Sequence, residues 1–178
     1  MMLDATMQFV PVGAPLSCVG AAGQNFPSGV VDLAGVGVGV APPNIFGTQS
    51  VFGEDIGVGD SVVDLVVATG TAFATSDSCT LNCQLQAAPD NGAYQPGTWQ
   101  TIAETGALTA AQLAANTTIM PFKMTQAFPA NENPRFLRIN FVTPAGEQFT
   151  AGTIAYAVPS LVRDALQNKQ TSRNYSVA

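Results

Sequence analysis

Cys79-Thr80-Leu81-Asn82-Cys83-Gln84-Leu85-Gln86 alternates apolar and polar side chains over eight positions. In an extended chain successive side chains point to opposite faces. One face of this stretch therefore buries Cys79, Leu81, Cys83 and Leu85, and the other shows Thr80, Asn82, Gln84 and Gln86. A sheet with one apolar face needs a second layer to cover it, so the stretch implies a two-layer β architecture. Cys79 and Cys83 share a face but stand about 13 Å apart along a strand. A disulfide needs Cα atoms within about 7 Å, so the two are core thiols.

The same period recurs outward from this stretch. Over 136–141, Leu137, Ile139 and Phe141 face one way, and Arg138 and Asn140 the other. Over 153–158, Ile154, Tyr156 and Val158 share a face. The β-branched run 62–67 reads as a strand, as do 30–33, 99–103 and 117–122. Glycine and proline mark long loops over 34–61 and 87–98, the second through Asp90-Asn91-Gly92 and Pro96-Gly97. Within the first, 35–40 alternates Gly with Val and ends at Pro42-Pro43. Residues 1–29 hold little periodicity and read as an extended arm or edge segment. The spacing predicts a short helix over 109–115, capped by Thr109 and ended by Asn116. After Pro159 the pattern turns helical over 160–168, then polar. The expectation is an all-β jelly roll or β-sandwich of about eight strands with one or two short helices. Its parts are an arm at 1–29, the jelly-roll domain at 30–158 and a helix with a tail at 159–178.

Charge is unevenly placed. Before Lys123 there is no lysine, arginine or histidine, while nine carboxylates occupy that stretch (Asp4, Asp32, Glu54, Asp55, Asp60, Asp64, Asp77, Asp90, Glu104). All six cations (Lys123, Arg135, Arg138, Arg163, Lys169, Arg173) lie in the last third, and the net charge is −6. Charged residues make up 10% of the chain, against about 25% in a typical soluble domain. A surface so poor in charge suits contact with other protein, or is simply neutral and polar.

With no histidine, Ser-His-Asp triads, Cys-His pairs and His-ligated zinc are excluded. A carboxylate dyad within Asp55, Asp60 and Asp64 is the remaining enzymatic reading. However, Asp60 and Asp64 stand about 13 Å apart in extended chain, and no apolar pocket nearby would raise an acid's pKa. That run reads as a solvated acidic loop, and EF-hand spacing is absent. The glycines at 35, 37 and 39 fail the dinucleotide fingerprint because Val40 stands where a glycine is required. Six cations on a net −6 chain do not drive nucleic-acid binding. No basic leader precedes an apolar run, and no stretch is long and uniform enough for a membrane helix. No cofactor, no metal and no membrane partner are expected, and the chain is read as non-enzymatic.

Several stretches together resemble a known family. They are 14–23, 41–47 (Ala41-Pro42-Pro43-Asn44-Ile45-Phe46-Gly47), 70–75, 80–86, Pro96-Gly97-Thr98-Trp99, Pro134-Arg135-Phe136-Leu137-Arg138 and Ala151-Gly152-Thr153-Ile154-Ala155. This order of motifs is similar to the small capsid cement (decoration) proteins of short-tailed phages related to a Bordetella phage. The resemblance covers about residues 3–158. It implies a jelly roll made in the bacterial cytoplasm and placed as a homodimer on the outer surface of an icosahedral head. There it would clamp neighbouring major capsid proteins of the HK97-like fold. It carries over no catalytic residue. The expected contact elements are 2–16 with Phe9 and Leu16, the glycine-rich loop 36–46 with Val38, Ile45 and Phe46, and the segment after Pro159 with Arg163. Arg135 and Arg138 are candidates for salt bridges between subunits, or for a solvated strand edge. The competing reading is a carbohydrate-binding jelly roll of a receptor-binding or fibre protein, with Tyr94 and Trp99 near one loop as its aromatic platform.

Overall fold

The computed structural model describes residues 8–33, 63–123 and 134–161. These form eleven strands and no helix: β1 Leu16–Ser17, β2 Asn25–Pro27, β3 Val31–Asp32, β4 Val63–Thr69, β5 Ala74–Thr75, β6 Thr80–Pro89, β7 Gln100–Thr109, β8 Thr118–Lys123, β9 Pro134–Val142, β10 Phe149–Ala151 and β11 Thr153–Leu161. One sheet runs β1-β11-β4-β8 and a second runs β2-β9-β6-β7, with β3 also on β9. β5 and β10 form a small ribbon.

The order of strands identifies the architecture. β2 and β3 both pair β9 and count as one broken strand. Setting the ribbon aside, eight strand positions remain. In that count one sheet reads first, eighth, third, sixth and the other second, seventh, fourth, fifth. This is the order of a jelly roll, in which the chain winds between two antiparallel sheets.

The alternation read from the sequence fills the space between them. Leu81, Cys83 and Leu85 from β6 lie beside Leu137, Ile139 and Phe141 from β9, in register Cys83–Phe141 and Leu85–Ile139. Leu65 and Val67 of β4 and Ile154 and Ala157 of β11 belong to the same core. Burying one such aliphatic side chain contributes about 2 kcal/mol.

Four expectations are corrected. Residues 109–115 are not a helix: β7 runs to Thr109, and turns follow. Gln112 Oε1 does accept the Thr109 N–H at 2.9 Å, as a capping side chain would. Only Leu113 is buried from this stretch, however, and one apolar anchor does not hold so short a helix. Next, Ser160 and Leu161 belong to β11, which passes straight through Pro159. Proline is tolerated there because β1 and the Val10 bridge pair β11 only as far as Ala157, so Pro159 has an open edge among the described residues. The remainder of the expected helix over 160–168 lies outside the described residues.

Third, 8–29 is no arm. The Phe9 and Val10 N–H groups both donate to Ala157 O, at 3.0 and 3.2 Å, and Phe9, Val10, Cys18 and Phe26 are core residues. The edge part of that reading does hold, since β1 and β2 stand at sheet edges. Fourth, Tyr156 does not continue the inward face of Ile154. A bulge between them turns the strand, so Ala157 takes the inward place and Tyr156 stays half-buried.

Candidate functional site

At the end of the second sheet where β6 finishes and β9 begins, the first strong feature is an ion cluster. Arg135 presents Nε and Nη2 to Asp32 Oδ1 and Oδ2, each at 2.8 Å, and Nη1 to Asp90 Oδ2. Strand pairing brings these groups together: Asp32 on β3 stands opposite Phe136, and Pro89 on β6 opposite Pro134. The loop after β6 is held by the same carboxylate, because Asp90 Oδ1 accepts the Gly92 and Tyr94 N–H groups at 2.9 and 3.0 Å. The Tyr94 and Phe136 rings each lie 5.1 Å from the guanidinium. Hydrogen bonding by Asp32 pushes the Arg135 pKa further up. Burial works against the Asp90 charge, but the Gly92 N–H, Arg135 and the Tyr94 N–H outweigh it and hold the carboxyl below its usual range.

The sign of the resulting pH effect is fixed by that depression. The Asp90 contribution is complete above the unfolded carboxylate pKa, about 4, and is lost as pH falls through the lower folded value. Arg135 is raised instead, so its contribution persists through the acid and neutral range. Melting followed by circular dichroism should show wild-type stability declining below about pH 4, and Asp90→Asn should flatten part of that decline. Asp77, also depressed, chiefly by the Thr75 hydroxyl, supplies another part. Identical pH slopes for wild type and Asp90→Asn would refute the assignment.

The second feature lies on the outer face of the same sheet. The Arg138 guanidinium stacks 4.1 Å over Trp99 and donates Nε–H to Gln86 Oε1 at 2.8 Å. Gln86 Nε2 reaches Gln84 Oε1 at 3.2 Å and Thr101 Oγ1 at 3.3 Å. Gln84 and Asn82 in turn donate to Glu104 Oε2 at 3.3 and 2.9 Å. The polar half of the opening stretch thus becomes a side-chain ladder across β9, β6 and β7. Burial without a counter-ion lowers the Arg138 pKa.

A family model, Bbp16, a Bordetella phage protein family, matches residues 44–158, which is more than half of the chain. The chain belongs to the Bbp16 family. The Bbp16 match takes in β4 through most of β11 and therefore both stacks of arginine on aromatic. No curated protein matches the chain. Among the described residues no group of three or more potential ligands is placed to hold a metal, and no helix is long and apolar enough to cross a membrane.

The structure sorts the expected contact residues of this Bbp16 chain. Phe9 is 1% exposed, so its ring belongs to the chain's own core and is corrected as a contact residue. Leu16 is half-buried on β1, opposite Ile154. Arg135 finds both of its carboxylates within the chain, which corrects the expectation of partners in another subunit. Arg138 has no carboxylate partner among the described residues. Val38, Ile45, Phe46 and Arg163 lie outside the described residues, as do Asp55 and Asp60. Tyr94 and Trp99 are divided between the two arginines rather than forming one platform.

Asp32, Asp90 and Gln86 were not marked by the sequence as partners of these cations. They lie 103, 45 and 52 residues from their arginines, and only strand pairing joins them. The three thiols stay protonated. Burial first, then the neighbouring Cys83, pushes Cys18 up to about 12. Burial pushes Cys83 up to about 12 and, with Asp77 and Glu147, Cys79 up to about 11. As nucleophiles they are inert.

Proposed function

We propose that this phage protein is a capsid cement protein. It binds the outer surface of an icosahedral head and stabilises contacts between major capsid protein subunits of the HK97-like fold. In this reading it acts as a homodimer and catalyses no reaction. The observation that carries the reading is the Bbp16 match laid over a jelly roll, the scaffold expected of a cement protein. The low charge supports it, since broad packed contact favours few charges at its centre. About 800 Å² per partner suffices for specific binding, and many copies multiply a modest gain per site.

Binding only the assembled shell stabilises it by mass action, about 2.7 kcal/mol per site at a concentration of 100 times Kd. Purified chain added to empty expanded heads that lack it should cosediment with them and raise their melting temperature by calorimetry. Heads that melt at the same temperature with and without the chain would overturn the reading.

A further inference from the structure

Arg135 and Arg138, on one strand, differ in how their forks are filled. Every guanidinium nitrogen of Arg135 meets a carboxylate oxygen of Asp32 or Asp90. Arg138 uses Nε alone, on Gln86. Its Nη1 and Nη2 have no hydrogen-bond or ion-pair partner among the described residues, leaving the N–H donors of both terminal nitrogens free. The fork is nevertheless fixed in place. Trp99 sets its plane, and Gln86 is itself pinned by Gln84 and Thr101. Two residues along β9 on the same outward face, Asn140 is 6% exposed and pairs with Gln84 of β6. A partly desolvated cation held rigid with both terminal nitrogens unfilled is an incomplete polar site, and a carboxylate completes it with two parallel bonds.

We propose that the Arg138–Trp99 stack is an anchor for an Asp or Glu side chain of a protein partner, received by Nη1 and Nη2. The inference rests on the capsid reading, in which that carboxylate belongs to the major capsid protein. Charge complementarity selects the occupant. Glu104 stands on the same face, one row along the sheet through the pairs Glu104–Gln84–Asn140, and the chain carries a net −6. A polyphosphate would meet that acid, whereas a protein surface can answer Arg138 and Glu104 with opposite charges. Half-buried arginine beside tryptophan is also the composition of interface hot spots.

The experiment titrates wild type, Arg138→Gln and Arg138→Lys onto empty heads by cosedimentation, with the free chain melted in parallel. Arg138→Gln is expected to weaken binding by about 30-fold or more, with the free chain's melting temperature lowered by only a few degrees, because the Trp99 stack and the Gln86 hydrogen bond are lost but the core is untouched. Arg138→Lys keeps the charge and loses the planar fork, so about 10-fold weakening is expected. Wild-type affinity in Arg138→Gln overturns the anchor while leaving the capsid reading intact. If Arg138→Gln does not fold, wild-type affinity in a folded Arg138→Lys overturns it equally. Failure of wild type to bind heads removes both readings.

Discussion

Gly152→Ala lowers the melting temperature of the free chain by roughly 10 °C, through a loss of about 3–5 kcal/mol. Two independent effects add at this site. Gly152 joins β10 to β11 with φ +146°, a conformation that side-chain-bearing residues rarely adopt. A Cβ there would also meet the root of the Phe73 ring, 2.6 Å from Cγ and 2.7 Å from Cε1. The ring cannot simply swing away. It is buried and packs edge-on against Phe149, with centroids 4.9 Å apart at 81°. Gly152 O also accepts the Cys18 N–H at 3.1 Å, so moving the backbone would disturb the link to the N-terminal segment. Gly146→Ala serves as the control. Its φ is +85°, but a Cβ there meets nothing within 4 Å, so only the backbone strain remains. A thermal melt in which Gly152→Ala matches Gly146→Ala would show that the Phe73 contact carries no cost.

Particular residues show why the sequence revealed some of this fold and not the rest. The inward positions of β6 and β9 were legible because period-2 burial needs no knowledge of the partner strand: Leu81, Cys83, Leu85, Leu137, Ile139 and Phe141 are buried as the alternation requires. Tyr156 escaped the same rule because a bulge is a property of a strand pair, here β11 against β4, and leaves no mark in the strand's own residues. The helix expected at 109–115 failed because alanine-rich propensity is weak beside tertiary constraint. That stretch must carry the chain from the edge of one sheet to the other. Likewise, the N-terminal segment looked like an arm because Phe9 with Val10, then Cys18, then Phe26 reach the core at irregular intervals, without a period.

The site was legible only by residue type. A late cluster of cations in an acidic chain calls for ion pairs, and Arg135 makes them. Which acids it meets depends on β3 and β6 flanking β9, a fact of topology. The outward Gln84 and Gln86 of the opening stretch looked like ordinary solvated positions. Their register with Asn140 and Arg138 turns them into the support of a fixed guanidinium.

Phe141→Ala removes about 4 kcal/mol of stability, near the middle of the range for a buried phenylalanine. Phe141 is 0% exposed and sits opposite Phe26 of β2 and Cys83 of β6, so three strands lose contacts together. The surrounding groups are strand-bound and cannot collapse into the space, which places the cost well above simple transfer. A folded domain holds only about 5–15 kcal/mol, so the variant sits near its limit at 37 °C. Chemical denaturation should show the midpoint shift with the slope against denaturant unchanged. Arg138, on the outward face of the same strand, gives the contrasting case. At a temperature where Phe141→Ala is still folded, its head affinity should equal that of wild type, because the outward ladder is untouched. Arg138→Gln should do the reverse, lowering the melt by only a few degrees and losing the affinity. If Phe141→Ala melts within 2–3 °C of wild type, corresponding to a loss of about 1 kcal/mol, then β9 does not form the packed centre of the sandwich. In that case the rigidity attributed to its outward face has no support.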